Sequence, residues 1–492
     1  MKRVVDLIQE NPWVAWALFI GTVVVVFLVG LFGASIMERR QEARLAFQLV
    51  KPIATWEPRN EVWGENFPRE FESYRSTLDT SFRSRYAGGS WRDYLAEDPN
   101  LVILWAGYAF SREYEQARGH YYAIEDIRTT LRTGVAQPAT CWTCKSTDVP
   151  RLMAEMGPAE FYKGSWDSLG SQVVNNIGCQ DCHDPQTMNL RVTRPALVEA
   201  MQRQGVDIRK ATLQEMRSYV CAQCHVEYYF KGKEEKYLTF PWDKGFSADS
   251  MEVYFDSVQH IDWVHALSRA PMLKAQHPDY ELFKTGIHAE RGISCADCHM
   301  PYRNEGGVKF TNHKIQSPLN DIAGSCQVCH RESEATLTKS VNDRQGIILE
   351  LRMRAEDAIV RAHIEAKAVW DRGATEQEMK PALLLIRHAQ WRWDWVAASN
   401  GLGFHSPVEA ARVLGSSIQK AEQARLHLAR VLAKRGITEP LPLPDISTKS
   451  KAQAYIGLDM KKLTVQKEEF FQTVLPRWKK KAEERQGTMK SY

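Results

Sequence analysis

All ten cysteines of this chain fall into five Cys-x-x-Cys pairs, with none left over. The pairs are Cys141/Cys144, Cys179/Cys182, Cys221/Cys224, Cys295/Cys298 and Cys326/Cys329. Four are followed at once by histidine: His183, His225, His299 and His330. At this length and composition about 0.006 Cys-x-x-Cys-His motifs are expected by chance. Structural zinc takes four ligands and gathers such pairs in twos, so five is an awkward count. Disulfides would not choose one uniform gap five times. The pattern is that of covalent c-type haem, with two thioethers to the porphyrin and the histidine on iron. Such a chain is expected to fold around its porphyrins, with short helices supplying ligands. These haems are attached outside the cytoplasm, so the cysteine-bearing part should be exported.

The remaining pair, Cys141-Trp142-Thr143-Cys144-Lys145, has lysine where histidine belongs. A lysine meets iron only as a neutral amine, a state that burial favours. With Lys145 on one axial position, the opposite one could be open to substrate. One open haem beside four closed ones describes an enzyme fed by a wire. The plain alternative is a fifth electron carrier with an unusual ligand.

Composition adds limits. Hydrophobic residues make up 44% and charged residues 25%, which is ordinary for a globular protein. A net charge of +4 over 492 residues does not point to nucleic acid. No charged residue lies between Asn11 and Met37. That run exceeds the core of a signal peptide and is long enough to cross a bilayer. Residues 1–37 are therefore expected to be a signal-anchor, with a cleaved signal as the rival. Flanking charges do not orient it, since Lys2 and Arg3 precede it and Arg39, Arg40 and Arg44 follow. Haem attachment places the large domain outside, in a periplasm and tethered to the inner membrane.

Residues 38–95 read as a linker and N-terminal arm. Residues 96–335 hold every haem motif, starting at Asp98-Pro99-Asn100. Residues 336–492 carry no cysteine and read as long helices. One is expected over 336–372, ending at Gly373. A second opens at the capping box Thr375–Glu378. A third opens at Ser406-Pro407-Val408-Glu409, read as another box, and runs to Gly436. A last helix is expected over about 450–485. This region either supports the haem domain or forms a dimer interface. The fold class is mostly α, one N-terminal span included.

Ten further histidines remain for the far sides of the irons: His120, His260, His265, His277, His288, His313, His363, His388, His405 and His427. Spacing does not pair them with particular motifs.

At this point the chain resembles a known family. Cys-Trp-Thr-Cys-Lys followed by four Cys-x-x-Cys-His sites is similar to the ammonia-forming pentahaem cytochrome c nitrite reductases. The likeness extends to Arg118-Gly119-His120, Leu131-Arg132-Thr133-Gly134, Cys224 to Phe230, Pro271 to Pro278, Arg387 to Asp394 and Pro444 to Lys449. The resemblance implies five c-type haems and one calcium ion. It implies Lys145 as proximal ligand of the catalytic haem, with Arg132, Tyr228 and His277 in the distal pocket. It implies His313, His120, His405 and His288 as distal ligands of the second, third, fourth and fifth haems in motif order. His388 lies in a matched stretch but is no ligand in the family. Calcium would be held by the Glu227 carboxylate, the Tyr228 and Lys274 carbonyls and the Gln276 side-chain amide, an all-oxygen set that suits a hard cation. Implied too are nitrite as substrate, ammonium as product and a homodimer. The implied electron donor is a membrane tetrahaem quinol dehydrogenase or a soluble pentahaem cytochrome. The uncharged N-terminal span departs from the many relatives with a cleaved signal.

Overall fold

A computed structural model describes residues 11–46, 49–86 and 88–488. It divides into two compact units, Met1–Pro52 and Ile53–Tyr492.

Among the described residues the first unit has one helix, Pro12–Ala46, with Pro12 at its start, where a missing N–H costs nothing. Its apolar part, Pro12–Arg40, has 29 residues and none of its most apolar window is buried. At 1.5 Å per residue this spans about 43 Å, against a hydrocarbon core of about 30 Å. Trp13 and Trp16 stand exposed near one end, where amphipathic rings favour a membrane interface. The helix fits a transmembrane or a signal helix. It runs past the expected end at 37.

The second unit begins at Ile53, within the stretch expected to be linker and arm. Helices Asn60–Gly64 and Pro68–Arg75 carry Trp63 and Tyr74 into the core. The Trp63 indole donates to the Glu57 carbonyl at 2.9 Å, and Tyr74 Oη to the Ile177 carbonyl at 2.9 Å. Asn60 Oδ1 accepts the amide of Cys179 at 3.0 Å. An added Cβ on Gly178 would strike the Asn60 side chain, so glycine permits this approach. Two isolated buried aromatics give no periodic signal, which is why the segment reads as irregular.

Residues 53–335 form short helices and turns, with three two-stranded antiparallel ribbons. Leu101 to Ala106 is wholly buried and anchors the core, with Trp105 against Phe110, Trp263 and Trp393.

The long helices are Glu334–Trp370, Glu376–Ala397 and Pro407–Ala433. Ala355, Ala358, Ala362 and Ala366 line one buried stripe of the first, and small residues let the axes approach. Gly373 closes the first helix at φ +74°, and the Thr375/Glu378 box opens the second as expected. The Ser406 box does not form. Ser406 Oγ instead donates to the Thr285 carbonyl at 3.1 Å, and Glu409 pairs with Arg412 at 2.7 Å. The expected last helix is broken. Gly457 turns the chain at φ +75° after Lys449–Tyr455, and Met460–Glu469 leads through a π turn, Phe470–Val474, into Leu475–Thr488.

Candidate catalytic haem site

The lysine motif begins in a short 3-10 turn, Ala139–Trp142. The Lys145 amide donates to the Trp142 carbonyl at 2.9 Å. Trp142 is fully buried and stacks on Trp166, ring centres 3.5 Å apart and 6° from parallel. Arg194, 1% exposed, donates to the Thr143 carbonyl at 2.8 Å, to the Ser146 carbonyl at 2.9 Å and to Asp181 at 2.6 Å. A buried guanidinium with a carboxylate and carbonyls on its donors is well satisfied and rigid. It ties the first motif to the second, since Asp181 lies between Cys179 and Cys182.

Several expected pocket residues gather around this motif. Burial holds the His277 imidazole down to about 3, and Lys145 lies within electrostatic reach of it. Burial pushes the Tyr228 hydroxyl well up, and Cys144 and Cys141 lie within electrostatic reach of it. Arg132 stacks its guanidinium 4.4 Å above the Phe110 ring, and its Nε donates to Thr130 Oγ1 at 3.2 Å. Burial lowers this guanidinium too. Tyr108 lies within electrostatic reach of both Cys141 and Arg132. A desolvated cation with donors to spare is a strong anion receptor.

The four expected calcium positions also converge. Glu227 is fully buried. Its Oε2 accepts the Gln276 amide at 2.6 Å, while Oε1 has no hydrogen-bond partner. Burial pushes this carboxyl well above its usual range. The Gln276 side chain reaches the Lys274 carbonyl at 3.3 Å, and Tyr228 follows Glu227 in the chain. No three His, Cys, Asp or Glu side chains cluster as a metal group among the described residues. The expected set has one carboxylate and otherwise neutral oxygens. An orphaned buried carboxylate oxygen beside neutral oxygens fits a hard cation.

Four histidine pairs face each other across gaps of one size. His183 and His313 have ring centres 6.2 Å apart, and His120 and His225 6.3 Å. His299 and His405 are at 6.3 Å, His288 and His330 at 6.2 Å. Two nitrogen–metal bonds of about 2 Å and two nitrogen-to-centre distances of about 1.1 Å add to about 6.2 Å. The gaps therefore fit one iron between each pair. Three of these rings spend Nδ1 on carbonyls: His183 on Met188 at 2.9 Å, His299 on Gln316 at 2.8 Å and His313 on Thr311 at 2.7 Å. That leaves Nε2 for a metal, an arrangement that also fixes ring orientation. The other histidines are engaged elsewhere. His265 stacks on His363, His388 pairs with Asp256 at 2.6 Å, and His427 meets the Glu378 carbonyl at 2.8 Å.

The thiols give the order of the motifs in space. Cys144 lies near Cys224, and Cys221 near Cys295. Cys182 senses Cys224, and Cys298 senses Cys326 and Cys329. The first and second motifs thus both adjoin the third, which leads to the fourth and fifth.

Sequence reading missed Asp394. It accepts Lys274 Nζ at 3.0 Å and the Ala275 amide at 2.6 Å, fixing the backbone that leads to Gln276 and His277. Its one signal is a charged residue between two tryptophans, Trp393 and Trp395. It also missed Glu281, fully buried, which accepts the Glu227 amide at 2.9 Å and the Trp242 indole at 2.8 Å.

Comparison with known proteins shows the family. The family described as Cytochrome c552 matches residues 59–487. A cytochrome c-552 of Parabacteroides distasonis is 57% identical over 482 residues, covering 96% of this chain and 97% of the relative. One from Porphyromonas gingivalis is 56% identical over 481 residues, covering 96% of each. Among solved structures, the cytochrome c nitrite reductase catalytic subunit of Desulfovibrio desulfuricans superposes with a TM-score of 0.74 at 31% identity. That match covers 84% of this chain and 91% of the other, whose description refers to two calcium sites. The chain belongs to the cytochrome c552 family, that of the cytochrome c nitrite reductases.

Proposed function

We propose that the chain reduces nitrite to ammonium at a haem held by Cys141, Cys144 and Lys145, fed by four haems held between histidine pairs. The observation that supports this most is the gathering of Arg132, Tyr228 and His277 around the one motif that lacks histidine. Bound haem would supply the iron that takes the anion and the electrons that reduce it.

The chain's own residues would do the rest. Cys179/Cys182 with His183 and His313 would hold the second haem, and Cys221/Cys224 with His225 and His120 the third. Cys295/Cys298 with His299 and His405 would hold the fourth, and Cys326/Cys329 with His330 and His288 the fifth. Arg132 would place two guanidinium N–H groups on the nitrite oxygens, as an anion in a dry pocket requires. Eight protons accompany six electrons in this conversion, and Tyr228 Oη and the His277 imidazole are the carriers within the pocket. Calcium on Glu227, Tyr228, Lys274 and Gln276 would hold both of these residues in place and add positive potential.

We place the enzyme in the periplasm, tethered by the Pro12–Ala46 helix, as a homodimer joined through its long helices. Its electrons would come from a multihaem donor, either a membrane quinol dehydrogenase or a soluble cytochrome. The direct test is nitrite consumption with a reduced viologen, with ammonium measured as product. Nitrite loss without ammonium, or no nitrite loss, would overturn the proposal.

A further inference from the structure

The loop that carries Arg132 is held from far away in the chain. Leu131 donates its amide to Glu113 at 2.6 Å. Gly134 donates to Gln137 Oε1 at 2.8 Å, and Gln137 Nε2 returns to the Arg132 carbonyl at 3.2 Å. Thr133 Oγ1 donates to the Ile127 carbonyl. A contact from much farther away is Lys467, 334 residues on, whose Nζ donates to the Thr133 carbonyl at 3.0 Å. Lys467 is 7% exposed, and its ammonium lies 4.8 Å from the Phe470 ring centre and 5.6 Å from that of Phe471. Burying an ammonium is costly, and burial draws this one down to about 8 while Glu113 pulls it up. A lysine kept in such a place is held there by its contact.

The helix bearing Lys467 does not stop there. It passes into the π turn Phe470–Val474, the kind of irregular turn often found at functional sites. Phe470 packs on Trp478 with ring centres 5.4 Å apart. Trp478 in turn lies 6.2 Å from Trp142, inside the lysine motif. One C-terminal segment thus touches both the arginine loop and the motif of Lys145. Arg128, whose guanidinium sits 5.6 Å from Trp142 and 5.4 Å from Trp478, closes the same cluster.

We propose that Lys467 is a positioning residue for anion binding: its ammonium fixes the Thr133 carbonyl and so sets the Arg132 guanidinium toward nitrite. This rests on the reading of Arg132 as the anion receptor. Lys467 touches no substrate. It acts through the loop, so its loss should weaken binding more than chemistry.

The test uses the full holoenzyme with Lys467→Met, Lys467→Gln and Lys467→Arg, with exposed Lys461→Met as control and Arg132→Ala as reference. Nitrite KM and kcat are measured with a reduced viologen, and amide hydrogen exchange is followed over residues 130–134. Lys467→Met should raise KM about tenfold, the worth of one buried charge-assisted hydrogen bond, with kcat changed less than about twofold. Lys467→Gln should fall between, Lys467→Arg should stay near native, and exchange over 130–134 should quicken in the same order. Native KM and native exchange in Lys467→Met would overturn the proposal. Where Lys467→Met fails to accumulate with its haems, the Gln and Arg variants decide, and equal KM for both would overturn it. An unchanged KM in Arg132→Ala would instead remove the arginine reading itself, whatever the exchange data show.

Discussion

Glu227 accepts the Gln276 amide at 2.6 Å with one carboxylate oxygen and offers the other to no donor. A fully buried carboxylate with an unpaired oxygen is unstable on its own. A cation bound there would repair it. The enzyme prepared in chelator should therefore lose thermal stability and nitrite turnover, and calcium should restore both. Calcium at a hundred times its Kd would add about 2.7 kcal/mol. Magnesium should restore less, since it demands a tight octahedron and keeps its waters. A melting midpoint indifferent to chelator and to calcium would remove the ion from this site.

His183 and His313 stand 6.2 Å apart, and His427 is spent on the Glu378 carbonyl. His313→Ala should convert one haem from the bis-imidazole form to an open one, visible in the absorption and magnetic spectra. His427→Ala should leave the spectra unchanged and alter only helix packing. The same contrast applies to His120, His288 and His405 against His265 and His388. A silent His313→Ala spectrum would break the pairing.

Lys145 follows the one Cys-x-x-Cys pair that no histidine follows. Lys145→His should retain covalent haem, because both thioether cysteines remain. Nitrite turnover should fall by about tenfold or more, read as kcat at saturating nitrite. Unchanged kcat would remove the special part given to lysine.

What the sequence discloses differs from element to element. Cysteine spacing carries the expectation of five haems, because attachment chemistry leaves no freedom in the gap. The Thr375/Glu378 box and Gly373 were legible because caps are local. Ser406 misled for the opposite reason. Its hydroxyl found the Thr285 carbonyl, 121 residues away, and no local rule foresees that. The rings that face the motif histidines follow the same logic, since His183 faces a ring 130 positions later and spacing is silent over such distances. Asp394 and Lys467 escaped notice because each acts on a backbone atom of a remote segment.

The helix Pro12–Ala46 suits either an anchor or a signal. An anchor predicts that the mature protein keeps its first residues and needs detergent for extraction from membranes. Intact mass of the purified native protein decides this. Loss of the first ~35 residues would show a signal instead.

His265 and His363 form a buried stack, ring centres 3.6 Å apart and 14° from parallel, remote in sequence from every haem motif. Every ring nitrogen is spent. His265 Nε2 donates to the Ile103 carbonyl at 2.8 Å, and its Nδ1 accepts the amides of Leu267 and Ser268. His363 bonds Ser268 Oγ at 2.8 Å and Gln390 Oε1 at 2.7 Å. A proton added to His265 would turn an accepting nitrogen against two donors. Burial holds His363 down to about 4 and His265 well below its ordinary value, with the His363 charge adding to the latter. The folded state therefore binds fewer protons than the unfolded chain below pH 6.5. The stability tied to His363 is fully present above about pH 6.5 and is lost as pH falls toward 4, for about 3 kcal/mol in all. His363→Gln should be less stable than native at pH 7 yet lose less between pH 7 and 4.5, read from urea midpoints. Carboxylates elsewhere contribute equally to both proteins and drop out of the comparison. An equal acid loss in the two would assign the acid sensitivity to groups other than this stack.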